Sequence, residues 1–428
     1  MDPAPAFWVW HRSSGLSEAE VEGLRKSDAG PIYRQIVEFG LKGGEWTPRP
    51  LGNAEVAKGT IPVVRLDPGP AVMEATDGAA MLARWLSHHF GGAIPSSLQL
   101  DYDCPVRLLP RYAAFIAELR GQLGLKEISI TALPSWIDSP AFPKLGAAVQ
   151  EMVPMFYDLT ADPPAEIMNR KALPIGGEDS ARWIRRWKTC KTPWRAGLPN
   201  FERLSLFKRD GTLSGHLRQW TPEAAEDSPL LRPIPGFTGG SALAVEKSFT
   251  FQGTALEEGQ TLLWRAPADD DLTELIKEAS DAGAKGIVWF ALPGPGLRTT
   301  HSPRHLASLT RGEIPKPSIT VRQDSAGRIV IRNNGHGDLT LKPGQEMHRL
   351  VLEADHAGAF ATTDAGGFFR ISVPDDSTVS INFSQRLLLQ FPRLLVEEEI
   401  ESAPGLIIRG NDQGLRWSLN GSSPLPLQ

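Results

Sequence analysis

The strongest constraint on the fold is a regular alternation of apolar, strand-length segments with amphipathic helices through roughly the first 305 residues. The strand-like segments are 6–11, 32–39, 60–66, 98–103, 127–133, 152–158, 194–198 and 286–292. The first intervening helix carries a capping box at Ser17 and Glu20, and the last ends at Gly283. Eight strand–helix units in order predict an α/β fold, a (β/α)8 TIM-type barrel. A doubly wound open sheet is the alternative, but the glycine-rich phosphate-binding fingerprint after the first strand is missing.

The alternation is interrupted once and then replaced. Residues 208–262 are rich in Pro and Gly, and we interpret them as an insertion between the seventh strand and the last helix. After Pro315 the pattern changes to short alternating strands with frequent turn residues, which is typical of a β-sandwich. The sequence therefore predicts a barrel at 1–312 and a C-terminal β-sandwich accessory domain at 313–428.

Composition excludes several classes of protein. The chain has only two cysteines, Cys104 and Cys190, so we expect neither a disulfide framework nor a cysteine zinc site. A net charge of −5 argues against nucleic acid as a partner, and no apolar run is long enough for a membrane span. The nine histidines are scattered, and we expect no metal and no cofactor. The oligomeric state stays open.

The N-terminal segment Met1-Asp-Pro-Ala-Pro-Ala has no basic region and no apolar region of the kind that forms a signal peptide. This pattern is compatible with two locations, and the first of them is the cytoplasm. If a signal peptide has been removed ahead of Met1, a periplasmic or secreted protein is expected instead.

The segment around the fourth strand carries the clearest chemical signal. Alternate residues of a strand face opposite sides, so Gln99, Asp101 and Asp103 share one face. The C-terminal end of a barrel strand is where barrel active sites lie, and two acids there are costly unless they are paired or functional. Their repulsion raises the pKa of one carboxyl group, which suits a general acid beside an ionised partner. Alternatively, one Asp caps the next helix and the other pairs with a core arginine such as Arg65.

This segment resembles the hallmark strand of family 18 glycoside hydrolases, the chitinase barrel, whose pattern is DxxDxDxE followed by an aromatic residue and Pro. With Pro105 aligned to that proline, Asp103 takes the place of the catalytic Glu. Asp101 takes the place of the last Asp, Gln99 that of the Asp before it, and Ser96 that of the first. Further segments resemble that family in the same order, namely 115–123, 128–134, 155–158, 197–199 and 286–289.

The chain resembles still more closely an uncharacterised bacterial family, domain of unknown function 3142. The segments that carry this resemblance are WVWHR at 8–12, QLDYDCP at 99–105, SITALPSW at 129–136 and GGFF at 366–369. This resemblance implies a barrel fold over nearly the whole chain and brings no established activity.

The chitinase resemblance implies a role for each matching residue. Asp103 would protonate the glycosidic oxygen, and Asp101 would orient the N-acetyl group of the substrate or stabilise positive charge at the sugar. Tyr157 would hydrogen-bond the same N-acetyl group, and Asp158 would bind sugar hydroxyls. In that chemistry the substrate supplies the nucleophile, so a second protein carboxylate at nucleophile distance is not required.

Aromatic residues near strand ends complete the set of candidates. Trp10, Trp136 and Trp289 lie on or just after predicted strands, where they would either stack on sugar rings or fill the core. His11 ends the first strand, and either contacts substrate, pairs with an acid or belongs to the core. We count these four residues, with Gln99 and Asp158, as substrate-binding.

Together these features predict a glycoside hydrolase-like protein that cleaves a polysaccharide or oligosaccharide containing N-acetylhexosamine, with a carbohydrate ligand as its partner. The alternatives are a non-catalytic, lectin-like carbohydrate-binding barrel and an envelope scaffold protein.

Overall fold

The structure is a computed structural model of the 428-residue chain. It describes residues 1–51, 59–217, 219–292, 298–341, 345, 347–355, 360–361, 364–372, 383–404 and 414–427. The chain divides into two compact units. The first comprises Met1–Asp162, Leu173–Glu202 and Pro267–Glu313, and the second Pro163–Ala172, Arg203–Ala266 and Ile314–Gln428. The division into a barrel at 1–312 and a sandwich at 313–428 stays a prediction.

The first unit is a nearly closed parallel barrel of eight strands. In chain order the strands are Ala6–Val9, Ile32–Lys42, Thr60–Leu66, Ser97–Asp101, Glu127–Ala132, Glu151–Pro154, Ala196–Pro199 and Ile287–Phe290. Each of the first five pairs in parallel with the next, and the eighth pairs with both the first and the seventh. Between the sixth and seventh strands only the bridges Met152–Trp194 and Met155–Gly197 complete the ring. The predicted parallel α/β architecture is confirmed at this level.

Helices follow most of these strands. Within the first unit they are Glu18–Lys26, Ala71–Glu74, Gly78–His89, Leu109–Leu123, Phe142–Ala148, Glu178–Trp187, Asp269–Asp281 and Pro303–Thr310. Short 3-10 turns lie at Val106–Leu108 and Pro134–Asp138, and an antiparallel strand, Glu45–Pro50, extends the second barrel strand as a hairpin. The predicted capping box is present, since the Ser17 hydroxyl accepts from the Glu20 N–H and the Glu20 carboxylate accepts from the Ser17 N–H.

The alternation of side chains along the strands separates two apolar layers. Side chains such as Leu98 and Leu100 point outward and pack against the helices, as predicted. The opposite face forms a separate interior cluster that includes Trp8, Tyr33 and Val288. Gly197 on the seventh strand gives Trp8 its space, because a Cβ there would stand 2.9 Å from the indole ring.

The second unit consists of antiparallel sheets. Its first part forms a five-stranded sheet and a hairpin, with the strands Arg203–Phe207, Leu213–Leu217, Leu231–Pro233, Ser241–Val245, Phe249–Phe251, Thr254–Leu256 and Thr261–Arg265. Two short helices, Pro164–Met168 and Pro222–Glu226, accompany them. This region therefore departs from the strand–helix alternation of the first unit, and its interpretation as an insertion at 208–262 stays a prediction.

The later part of the second unit is likewise built from antiparallel strands. They are Ile319–Gln323, Ile329–Asn333, Leu339–Thr340, His348–Glu353, Phe360–Ala361, Arg370–Ser372, Phe383–Ser384, Arg386–Phe391, Arg393–Leu394, Glu399–Glu401, Arg416–Leu419 and Leu425–Pro426. Strands Ile319–Gln323, Ile329–Asn333 and Glu399–Glu401 form a three-stranded sheet, and His348–Glu353 lies in the middle of a separate five-stranded sheet. One apolar cluster contains residues of both sheets, for example Ile331 of the first and Leu350 of the second. Packing of the two sheets as a sandwich stays a prediction. Across the described ranges of both units, every helix is too short or too polar to cross a bilayer.

Candidate functional site

A cleft lies where the parallel strands of the barrel end. Its volume is about 420 Å³, within the range of typical ligand sites. It is lined by Trp10, Arg65, Asp101, Asp103, Thr131, Leu133, Met155, Tyr157, Asp158, Leu159 and Phe290. These residues belong to the C-terminal ends of six different strands or to the segments that follow them. The cleft therefore lies at the end of the barrel where the sequence places the active site.

Asp101 is the buried acid of the cleft. The parallel register sets Asp101 beside Arg65 of the third strand, and their closest side-chain atoms are 3.9 Å apart. The Thr131 hydroxyl of the fifth strand donates to the Asp101 carboxylate at 2.7 Å. Burial raises the pKa of Asp101 to about 6, although Thr131 and Arg65 both lower it. Repulsion from Asp103 adds the smallest contribution to this pKa, so burial rather than the neighbouring acid raises it.

Asp103 and Asp158 are the exposed acids of the cleft. Asp103 lies two residues beyond the end of the fourth strand, and Asp158 follows the sixth strand. Asp158 has a φ of 55°, a left-handed conformation that Asp adopts more readily than most residues. Unlike Asp101, both carboxylates stand where a bound ligand and solvent can reach them.

An aromatic wall forms another side of the cleft. The rings of Tyr157 and Phe290 stack with centroids 5.4 Å apart and an interplanar angle of 22°. Trp10 meets Phe290 edge-on at 5.9 Å. Burial raises the pKa of Tyr157 above its ordinary value, so its hydroxyl keeps its proton at neutral pH. The wall offers apolar ring faces and one hydroxyl donor to a ligand.

Gln99 lies beneath the cleft instead of in it. The Trp8 indole N–H donates to the Gln99 side-chain oxygen at 2.7 Å, and the Gln99 amide donates to the Ser129 hydroxyl at 3.3 Å. All three residues lie on the inner face, and Gln99 is completely buried. Gln99 therefore ties three strands together under Asp101, and its expected role as a substrate contact is corrected to a structural one.

Trp136 and Trp289 also lie elsewhere than expected. Both are fully buried in the outer apolar layer, between the strands and the helices. The Trp136 indole donates to the carbonyl of Cys104, next to Asp103, and the Trp289 indole donates to Thr310. The expectation that they stack on sugar is therefore wrong, because neither ring reaches the cleft.

Phe290 lies in the cleft, where Trp289 was expected, and Phe290 was not among the candidates named from the sequence. Val288 belongs to the interior cluster, so strand alternation turns Phe290 inward and Trp289 outward. This parity was available in the sequence, since apolar Ile287 and Trp289 share one face. Thr131 was likewise missed, whereas Arg65 is the arginine named as a possible partner of the acids.

His11 lies at the rim of the barrel and is exposed. Its φ is 49°, and its backbone N–H donates to the side-chain oxygen of Gln35 at 3.1 Å. The His11 ring stands 6.3 Å from that of Trp10. The cleft residues do not include His11, so the structure brings Trp10 to the site and leaves His11 beside it.

Comparison with known proteins agrees with the likeness seen in the sequence. Residues 57–212 match the family model DUF3142, a domain of unknown function. The resemblance to this family is thereby confirmed for the segment that carries Asp101, Asp103 and Tyr157. Comparison with curated sequences gives no match.

Among solved structures, similar folds include the spore cortex-lytic enzyme SleL of Bacillus megaterium, at 11% identity and a TM-score of 0.48, covering 72% of this chain and 74% of that one. The C-terminal domain of a putative chitinase from Desulfitobacterium hafniense gives 12% identity and a TM-score of 0.47, covering 72% and 98%. Chitinase ChiA74 from Bacillus thuringiensis gives 9% identity and a TM-score of 0.44, covering 94% and 98%. Function has to be argued from the side chains of this chain.

Proposed function

We propose that this protein is a glycoside hydrolase that cleaves a polysaccharide or oligosaccharide containing N-acetylhexosamine. The observation that carries the proposal is the pairing, in one cleft, of a buried carboxyl group whose pKa is raised with exposed carboxylates and an aromatic wall. Asp101 supplies the first, Asp103 and Asp158 the second, and Tyr157 with Phe290 the third.

The carboxyl pair supports acid catalysis. A general acid works best when its pKa lies near the working pH, and Asp101 meets this condition because burial raises its pKa to about 6. Asp103 lines the same cleft as Asp101 and is exposed, so we assign to it the contact with the glycosidic oxygen. We assign proton donation to the pair, with Asp103 facing the leaving group and Asp101 as its buried partner.

The remaining groups fit a sugar with an N-acetyl substituent. The protonated Tyr157 hydroxyl donates to the N-acetyl oxygen and orients it for attack on the anomeric carbon. Phe290 and Trp10 pack against the apolar face of the ring, and Asp158 accepts hydrogen bonds from sugar hydroxyls. Because the substrate supplies the nucleophile, a second carboxylate at nucleophile distance is not needed.

A second candidate function is carbohydrate binding without turnover. The observation that favours it is the side chain at the acid position, since Asp103 is one methylene shorter than glutamate and reaches less far into the cleft. The aromatic wall and Asp158 would still bind sugar under this alternative.

The test is a glycan array and a hydrolysis screen on N-acetylglucosamine oligosaccharides, with wild type beside Asp103→Asn and Asp101→Asn. We expect hydrolysis by wild type and a loss of kcat of at least about 100-fold in Asp103→Asn, with binding retained. Glu22→Gln, an exposed carboxylate on the first helix, is the matched control and should leave the rate unchanged. Binding without turnover would select the lectin-like function, and neither binding nor turnover on any glycan would contradict both.

A further inference from the structure

A cluster of two histidines and one aspartate lies outside the cleft residues, in the last part of the barrel unit. Asp269 is the first residue of helix Asp269–Asp281, His301 lies in the segment after the eighth strand, and His305 is in the first turn of helix Pro303–Thr310. One ligand atom from each residue lies within 4.8 Å of the others. Both imidazoles are buried, with exposed fractions of 3% and 2%, whereas the Asp269 side chain is 36% exposed.

The two histidines converge on a single oxygen. The Nε2 atoms of His301 and His305 each lie 3.2 Å from Oδ1 of Asp269. The two rings are nearly parallel, with centroids 3.9 Å apart. An imidazole lone pair and a carboxylate oxygen repel each other, so either a proton on each nitrogen, which a neutral or a charged imidazole can carry, or one metal ion has to lie between them.

The distances are compatible with a shared metal ion. Zinc holds nitrogen and oxygen ligands at about 2.0–2.2 Å, which in a tetrahedron sets neighbouring ligand atoms about 3.3 Å apart. The two separations of 3.2 Å to the same oxygen lie close to this value. They also lie at the long end of ordinary N–H···O hydrogen bonds, about 2.7–3.2 Å, so the experiment has to separate an ion from protons.

The surrounding structure holds the ligands in place before any ion arrives. The Asn200 side chain accepts from the His301 N–H at 2.9 Å and donates to the His301 carbonyl at 3.1 Å. The Ser302 hydroxyl caps the last helix by accepting from the His305 N–H. Asn200 is completely buried, so the backbone of one ligand is fixed on both sides.

We propose that Asp269, His301 and His305 form a binding site for a divalent transition-metal ion such as Zn²⁺. Three protein ligands leave one tetrahedral position open, and the partly exposed Asp269 gives an ion and a water molecule access to it. The spacing His301-x-x-x-His305 is a recognised ligand spacing that the expectation of no metal site passed over. The site is independent of the proposed glycosidase activity.

The experiment is calorimetric titration of the chelator-treated full chain with ZnCl₂, and with CoCl₂ followed by visible absorption. We expect one ion per chain, and affinity at least about tenfold weaker in Asp269→Asn and His305→Gln, because even outer partners of metal ligands are worth 10- to 100-fold. His88→Gln, on the exposed face of another helix, is the matched control and should bind as wild type does.

Asp269→Asn keeps the test decisive if His305→Gln fails to fold, because the Asp269 side chain is partly exposed and its amide replacement has the same shape. Saturable binding lost in Asp269→Asn and kept in His88→Gln supports the site. No saturable binding by wild type, or equal affinity in wild type and Asp269→Asn, overturns it and leaves protons between the histidines and Asp269.

Discussion

Replacing Asp101 by asparagine should change the pH dependence of stability in a direction fixed by its burial. The pKa of Asp101 rises from an ordinary 3.8 to about 6 on folding. A carboxyl group with a raised pKa favours the folded state most at low pH, and this stabilisation is lost as the pH rises through about 6. Two pKa units correspond to about 3 kcal/mol. Asparagine is uncharged throughout and still accepts the Thr131 hydrogen bond.

The measurement is urea unfolding of wild type and Asp101→Asn between pH 3.5 and pH 8, followed by tryptophan fluorescence. The unfolding free energy of wild type should fall relative to that of the variant by about 3 kcal/mol across this range. Glu20→Gln is a control of opposite sign. Partial burial raises the pKa of Glu20, but hydrogen bonds from Arg12 and Ser17 lower it by more, so the pKa lies below its ordinary value. Wild type should therefore lose stability relative to Glu20→Gln as the pH falls. A difference between wild type and Asp101→Asn that stays constant with pH would refute the burial argument.

Two further predictions concern the walls of the cleft. Phe290→Ala should weaken oligosaccharide binding by up to about tenfold through loss of ring packing. Trp289→Ala should leave that affinity unchanged and lower the unfolding free energy by about 3–5 kcal/mol. Calorimetry measures the affinity and urea unfolding the stability; weaker binding in Trp289→Ala alone would contradict the assigned faces of the strand. Thr131→Val removes a donor that lowers the pKa of Asp101. The ionisation seen in the pH–rate profile should therefore move up by about one unit in Thr131→Val and stay in place in Thr131→Ser. Equal profiles for the two variants would show that the Thr131 hydroxyl does not set this ionisation.

Much of the barrel could be predicted because each strand is short, apolar and followed by a helix signal. The face shared by Asp101 and Asp103 followed from strand alternation alone, and the structure places both residues in the cleft. The same rule, applied to the last strand, predicts that Phe290 and not Trp289 faces the cleft. Trp289 was chosen for its large ring, although strand alternation turns that ring outward.

Other features depend on distances in space that local patterns do not contain. Asp77 stands at the N-cap position of helix Gly78–His89, but its carboxylate accepts a hydrogen bond from the Trp46 indole and does not cap the helix. Asp269 lies more than thirty residues before His301 in the sequence, so their contact appears only once the barrel closes. Burial of Asp101 depends on its contacts with the third and fifth strands beside it, so its raised pKa could not be predicted from the sequence.

The position of Trp8 limits how a ligand can enter and leave the cleft. Its ring fills the barrel interior from the first strand, donating to Gln99 on the fourth and packing against Gly197 on the seventh. The interior below the cleft is thus plugged, and a ligand has no passage through the barrel. Whatever enters the cleft has to leave by the same opening, so under the proposed hydrolase function a product held there would compete directly with the next substrate.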